Sequence, residues 1–281
     1  MYQNEKSAPP RTIRRRAHRG LTLVELLMAM SVMMIVGGAV AALASAAHMG
    51  NEYNGGVAKA TQHGRVVVER IARSVRGATA AEDHPGCVVL DETVGDHRFA
   101  ETLVVWHPVG EPANLNGPPL VSELVIFSPN PEDPTQLLEI TAPSDARELP
   151  FSVLSTEAGR KQIERIKVDP TSKRVLLTDM LRVGRVSTAS LLGGAGLRAA
   201  VNFARRLRPS EAQWNDHRAG RLAWNDLAWP QGIRSNGVGL RQVWLHFEIQ
   251  LAPHATAAGA ASTGEIVPFF GSAAIFYPMK P

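Results

Sequence analysis

The sequence predicts an α+β protein in which a long N-terminal helix, first apolar and then amphipathic, packs on an antiparallel β-sheet head. Three observations carry this expectation. Leu21 to Ala47 hold a single charge, Glu25. Val57, Ala60, Gly64, Val67, Val68, Ile71 and Val75 then recur at i, i+3, i+4, i+7 spacing, the period of one helix face. From residue 85 onward short β-rich runs alternate with proline and glycine, the texture of strands and turns.

Residues 1–20 read as a basic leader. The chain of 281 residues is 44% hydrophobic and 20% charged, an ordinary globular balance, with a pI near 9.5. Lys6 and five arginines sit in the leader against one acid, Glu5; removing six and one from totals of 30 and 26 leaves 24 basic and 25 acidic residues, a net charge of −1. The body of the chain therefore lacks the basic excess that binding to phosphates requires, and no nucleic acid is expected as a partner of the mature head. Cys87 is the only cysteine, so no intrachain disulfide forms and stability rests on the core.

Residues 21–47 are expected to form a transmembrane helix. At 1.5 Å per residue a helix of this length covers about 40 Å, more than a hydrocarbon core of about 30 Å. Five arginines on the N-terminal side place that side in the cytoplasm and the C-terminal body outside. A secretory signal with a cut at Ala44-Ser45-Ala46 would carry a shorter apolar region and no acid. Arg15-Arg16 also admit a twin-arginine signal, though arginines are common in any positive flank. A plain signal anchor accounts for length and orientation and leaves Glu25 unexplained, since an acid at mid-membrane costs about 2.5 to 3.5 kcal/mol.

The stretch RGLTLVELL, Arg19 to Leu27, resembles the class III signal of type IV prepilins and type II secretion pseudopilins. The shared pattern is a basic leader, Gly20, an apolar residue, Thr22, Leu23, Val24 and Glu25, then an uninterrupted apolar helix. Leu21 departs from the phenylalanine usual in the family. The resemblance implies a pilin-like fold, cutting between Gly20 and Leu21 by a membrane prepilin peptidase, and N-methylation of Leu21. It further implies anchoring in membrane lipid of the bacterial inner membrane, an inner-membrane assembly platform as partner, and other pilin or pseudopilin subunits as neighbours. The role implied for Glu25 is assembly: its carboxylate offsets the new amine, within the chain one helical turn away or between staggered chains. The purely local alternative is an acid favoured by the helix dipole. The run ERIARSVRGAT is similar to J-type pseudopilins and W-type minor pilins.

Residues 48–84 are expected to form an amphipathic helix after a flexible joint at HMGNEYNGG, whose three glycines and two asparagines disfavour helix. Glu69 and Arg73 form an i,i+4 pair. Residues 85–281 read as a β-rich periplasmic head. Strands are expected at Cys87 to Leu90, Thr102 to Trp106, Leu120 to Ser128 and Gln136 to Thr141. IERIKVDPTSKRVLLTD reads as a hairpin turning at Asp169-Pro170-Thr171-Ser172. LRQVWLHFEIQL is the clearest strand, with Val243, Leu245, Phe247, Ile249 and Leu251 on one face, and GSAAIFY closes the sheet. PHATAAGAASTGE reads as a low-complexity insert and residues 186–239 as a further insert containing a glycine-broken helix.

Candidate chemistry is sparse. Trp-Asn-Asp occurs at 214–216 and 224–226, so Asp216 and Asp226 admit a Ca²⁺ site, but without the spacing of an EF-hand loop a capped turn with packed tryptophans is the simpler reading. His84 and Cys87 lack the second ligand pair of a zinc site. His97, His107 and His246 read as strand and loop residues. No nucleophile elbow, phosphate-binding loop or zinc-protease motif occurs. The expectation is a non-enzymatic protein with no catalytic residue, no metal and no cofactor. The rival reading is a signal-anchored extracytoplasmic binding module that does not polymerise.

Overall fold

The computed structural model describes residues 22–94, 97–115, 117–186, 196–235, 237–253, 262 and 265–281. The basic leader, Gly20, Leu21, most of the 253–265 insert and part of the 186–239 segment lie outside these. The chain forms two units, residues 1–52 and 53–281. Helix α1, Leu23–Arg76, contributes to both.

In the first unit, every residue from Thr22 to Glu52 is exposed, and this part of α1 is long and apolar enough to span a membrane by length and composition. The helix does not melt at His48 to Gly56, as its glycines led one to expect: α1 runs through the stretch, and the boundary between the units falls within it, after Glu52. Helical hydrogen bonds on both sides hold the glycines in place despite their low propensity, because propagation is cheaper than starting a second helix.

In the second unit, α1 buries Ala60, Gly64, Val67, Ile71 and Val75, the stripe read from the sequence, with Val57 and Val68 half-buried. Arg73 and Arg76 both reach Glu69 on the exposed side, at 3.5 and 3.1 Å. The helix ends at Arg76 rather than continuing to residue 84. Gly77 follows, and residues 81 and 84 close a tight turn.

Strands β1 (Cys87–Val94), β2 (His97–Trp106), β3 (Leu124–Pro129), β4 (Leu137–Thr141) and β5 (Lys173–Thr178) form one antiparallel sheet in that order. Alternation sends Leu103, Val105, Val125 and Phe127 toward α1, and Val104, Trp106, Leu124 and Ile126 toward the opposite side. That opposite side is covered by α2 (Phe151–Leu154) and α3 (Glu157–Val168).

Helix α3 corrects the hairpin expected at IERIKVDPTSKRVLLTD: its first arm is helical and only the second, β5, is a strand. Ile163 and Ile166, three residues apart, bury together, and Thr156 caps the start by accepting the Gly159 N–H. Glu157 and Lys161 add a pair at 2.6 Å. Three β-branched residues in the run mimic a strand; the cap and the sheet face beneath decide for helix.

After β6 (Val183–Val186) and β7 (Gly196–Ala199), which pair with each other, β8 (Val201–Arg208), β9 (Gly239–Leu251) and β10 (Val267–Met279) form a second antiparallel sheet, order β10-β9-β8. The region read as an insert is thus part of the fold: Val201 and Phe203 of β8 are buried in the main core, and α4 (Glu211–Arg218) adds Trp214. No glycine-broken helix lies in its described part; LLGGAGLRAAV ends in strands β7 and β8. Strand β9 buries Val243, Leu245, Phe247, Ile249 and Leu251 as its period requires. α1 meets this sheet closely. A Cβ on Gly64 would stand 2.3 Å from the Phe269 ring, so the absence of a side chain at 64 sets the distance between helix and sheet.

Candidate functional site

Thr22 and Glu25 form the start of α1. The Glu25 N–H donates to Thr22 Oγ1 at 3.3 Å, and the Thr22 N–H donates to Glu25 Oε2 at 2.9 Å. The Thr22 hydroxyl donates to the same oxygen at 3.0 Å. With Leu23 as the first helical residue, this is a capping box: Thr22 is the N-cap and Glu25 the third position, each satisfying the other's backbone N–H. Sequence reasoning singled out Glu25 and missed Thr22 as its partner, although the Thr-x-x-Glu spacing was a usable signal. Both bonds from Thr22 end on Oε2, which leaves Oε1 without a partner among the described residues. The Thr22 N–H belongs to the Leu21–Thr22 peptide, so a cut after Gly20 would leave the box's bonds in place. Glu25 can therefore hold the helix start with one oxygen and present the other outward.

A family model described as the prokaryotic N-terminal methylation motif matches residues 15–41. This is the class III prepilin signal, and it spans Gly20, Leu21 and Glu25. The chain carries the N-terminal signal of type IV pilin-like proteins. No curated protein and no solved structure matches it. The motif supports a prepilin-type substrate for peptidase cutting and methylation, the motif and the apolar part of α1 together support a membrane anchor, and the architecture is an α+β arrangement of a long helix on antiparallel sheets. Proteins with this motif are structural rather than enzymatic.

The other candidates read from the sequence take structural positions in the pilin-like head. Asp216 is held by Arg221 at 2.5 Å, and Trp214 and Trp224 pack edge to face at 6.1 Å, with Trp229 4.6 Å from Trp224. Asp226 ends a short 3-10 turn, Trp224–Asp226, whose indole donates to the Ser235 carbonyl. These are the capped turns and packed tryptophans of the simpler reading. Cys87 is fully buried, and burial pushes its thiol up to about 12 against a small opposing effect of Arg205. His84 packs against Trp106 and Phe151, and burial lowers its pKa despite the charge of Asp83. Among the described residues no three His, Cys, Asp or Glu side chains gather as metal ligands do.

Proposed function

We propose that this chain is a pilin-like structural subunit, cut after Gly20, N-methylated on Leu21 and assembled into a type IV pilus or a type II secretion pseudopilus as a minor component. The observation that carries the proposal is an acid kept in an apolar segment, at a fixed place after a glycine cut site, with one oxygen not committed to the cap. Cutting creates a cationic amine at Leu21. In a low-dielectric layer an unpaired cation is costly, and Glu25 of the same chain or of a neighbour offsets it.

The sequence of events would be storage in the inner membrane with the N-terminus in the cytoplasm and the head outside, then extraction by the assembly platform as amine and carboxylate pair between subunits. The large head, with two multi-stranded sheets, supports a place near a filament end rather than along a repeating shaft. ERIARSVRGAT supports a J-type pseudopilin or W-type minor pilin position.

Two measurements test this. Mass spectrometry of the mature N-terminus should find methyl-Leu21; a start at Ala47 would indicate secretion instead. Glu25→Ala should remain cut and membrane-inserted while filament incorporation fails. Unchanged incorporation sinks the assembly mechanism and leaves the anchored binding module.

A further inference from the structure

Strand β10 is an outer strand of the second sheet, with β9 on one side and no described strand on the other. Register decides which of its backbone groups face that open side. The Gln250 N–H of β9 donates toward β8, to the carbonyl of Ala200 at 3.0 Å, the residue just before that strand. Backbone direction alternates along a strand, so the odd-numbered residues of β9 bond to β10, and the odd-numbered residues of β10 answer them in an unbroken register. The even-numbered residues of β10 therefore point their N–H and C=O groups away from the sheet. Pro268 and Pro278, which have no N–H to give, both stand at such positions, and between them lie Phe270, Ser272, Ala274 and Phe276. Among the described residues, none of these four has a backbone partner on the open side.

Open edges are normally guarded, because donors and acceptors left unpaired in a row template the addition of another strand. β5, an outer strand of the first sheet, begins with Lys173 and Arg174, both exposed. β10 carries no charged residue from Val267 to Met279. Its outer face instead presents Phe270, 70% exposed, and Phe276, 51% exposed, with Trp244 of β9 opposite Ala274. Two aromatic rings held in water along an unpaired run of backbone cost free energy that a neighbouring strand would recover.

We propose that the edge of β10 between Pro268 and Pro278 docks an extended segment of a different polypeptide, which joins the three-stranded sheet as a further strand. The main chain of the guest supplies the hydrogen bonds that Phe270, Ser272, Ala274 and Phe276 lack, and its side chains on the outer face meet those four in turn. The guest therefore alternates, with bulky apolar side chains opposite the two rings and small uncharged ones opposite Ser272 and Ala274. A second copy of this chain could match the edge locally, since an antiparallel register with proline opposite proline sets Phe270 against the second copy's Phe276. The two-fold axis of that pair, however, stands perpendicular to the sheet and reverses every direction in its plane. α1 lies side-on in the core beneath the sheet, buried from Ala60 to Val75 with Gly64 against Phe269, so the two copies of this segment would run in opposite directions. A common membrane anchorage forbids that, and the guest is a different chain. The site depends neither on Glu25 nor on polymerisation.

The probe is a blocked, fluorescently labelled peptide in which threonine alternates with phenylalanine, alanine, serine and phenylalanine in turn, with lysine at each end for solubility. Its binding to the full chain in detergent micelles is followed by anisotropy. Two N-methylated forms accompany it, one methylated on the phenylalanine, alanine and serine residues and the other on the threonines between them. The unmethylated peptide and the threonine-methylated form should bind saturably, and the first methylated form should not, because its methyl groups replace the N–H groups that pair with β10. Amide hydrogen exchange in the fragment spanning Phe270 to Phe276 should slow when the peptide is bound. Ala274→Pro removes an outward N–H without touching a bond to β9, and should weaken binding about tenfold at an unchanged melting temperature. Phe270→Lys should weaken it about threefold. The methylated pair carries the test in the unmodified chain if the proline variant does not fold. No saturable binding up to about 1 mM, equal binding of the two methylated forms, or undiminished binding in Ala274→Pro overturns the proposal. Sedimentation showing that the chain alone dimerises, and that Ala274→Pro abolishes the dimer, would give the edge to a second copy and overturn the assignment to a different chain.

Discussion

Replacing Glu25 by glutamine separates the two tasks of this side chain. Glutamine accepts the Thr22 N–H as glutamate does and is equally at home at the third position of a capping box, so the 2.9 and 3.3 Å bonds at the helix start survive. The charge does not. Loss of the cap alone would cost about 1 kcal/mol, roughly a fivefold effect on an equilibrium. Leaving an amine unpaired in a low-dielectric layer costs about 3 to 5 kcal/mol, more than about 100-fold. Glu25→Gln should therefore be cut and inserted normally, yet enter sheared filaments at less than about one hundredth of the wild-type level, by immunoblot normalised to mature chain in the membrane fraction. Incorporation within about fivefold of wild type would refute the charge-pair reasoning and reduce Glu25 to a helix cap.

The remaining predictions concern the head. Glu101 is 8% exposed, beside a cleft of about 840 Å³, and burial pushes its pKa up to about 7 despite Arg198 at 3.8 Å. A carboxyl raised in the folded state holds its proton longer than the unfolded chain does, so stability falls as pH rises from about 4.5 to 7 and is level above that. Glu101→Gln should remove this loss, gaining up to about 3 kcal/mol at pH 8 and little at pH 4.5, read as the difference in denaturation midpoints. Arg70 binds Glu139 with two bonds, at 2.6 and 2.5 Å, and ties α1 to β4. Since Arg70 is half-exposed and Glu139 buried, Arg70→Ala should cost about 2 kcal/mol, and a paired Arg70→Met, Glu139→Leu change should restore most of it in thermal unfolding. Gly55 has nothing within 4 Å of an added Cβ, so Gly55→Ala should stabilise α1 by about 1 kcal/mol. Gly64→Ala drives a methyl into the Phe269 ring and should instead lower the melting temperature, at a net cost of about 1 to 2 kcal/mol.

What could be read along the chain was periodic or local. The stripe from Ala60 to Val75 and the alternation from Val243 to Leu251 announce their faces because each side chain's direction follows from its own backbone period. The pattern around Gly20 and Glu25 was equally legible, as seven residues in a row carry it. Where local signals conflicted, the reading failed. Ile163, Ile166 and Val168 favoured a strand until the Thr156 cap and the sheet beneath them favoured a helix. Glycines at 50, 55 and 56 argued for a break that the continuing hydrogen-bond ladder of α1 overrides.

The sequence by itself carried the N-terminal methylation motif, an apolar helix long enough to span a membrane, the α+β texture and a carboxylate one helical turn after Leu21, because each of those properties is written in contiguous residues. Only the tertiary structure decided that β8 belongs to the core, and that Arg205 and Arg241, from two strands, meet Trp214 and Arg218 of α4 around one cavity. Sheet register sets Phe203 and Gly271 on either side of Phe247, and no local pattern in a single chain encodes which distant residues will share a face.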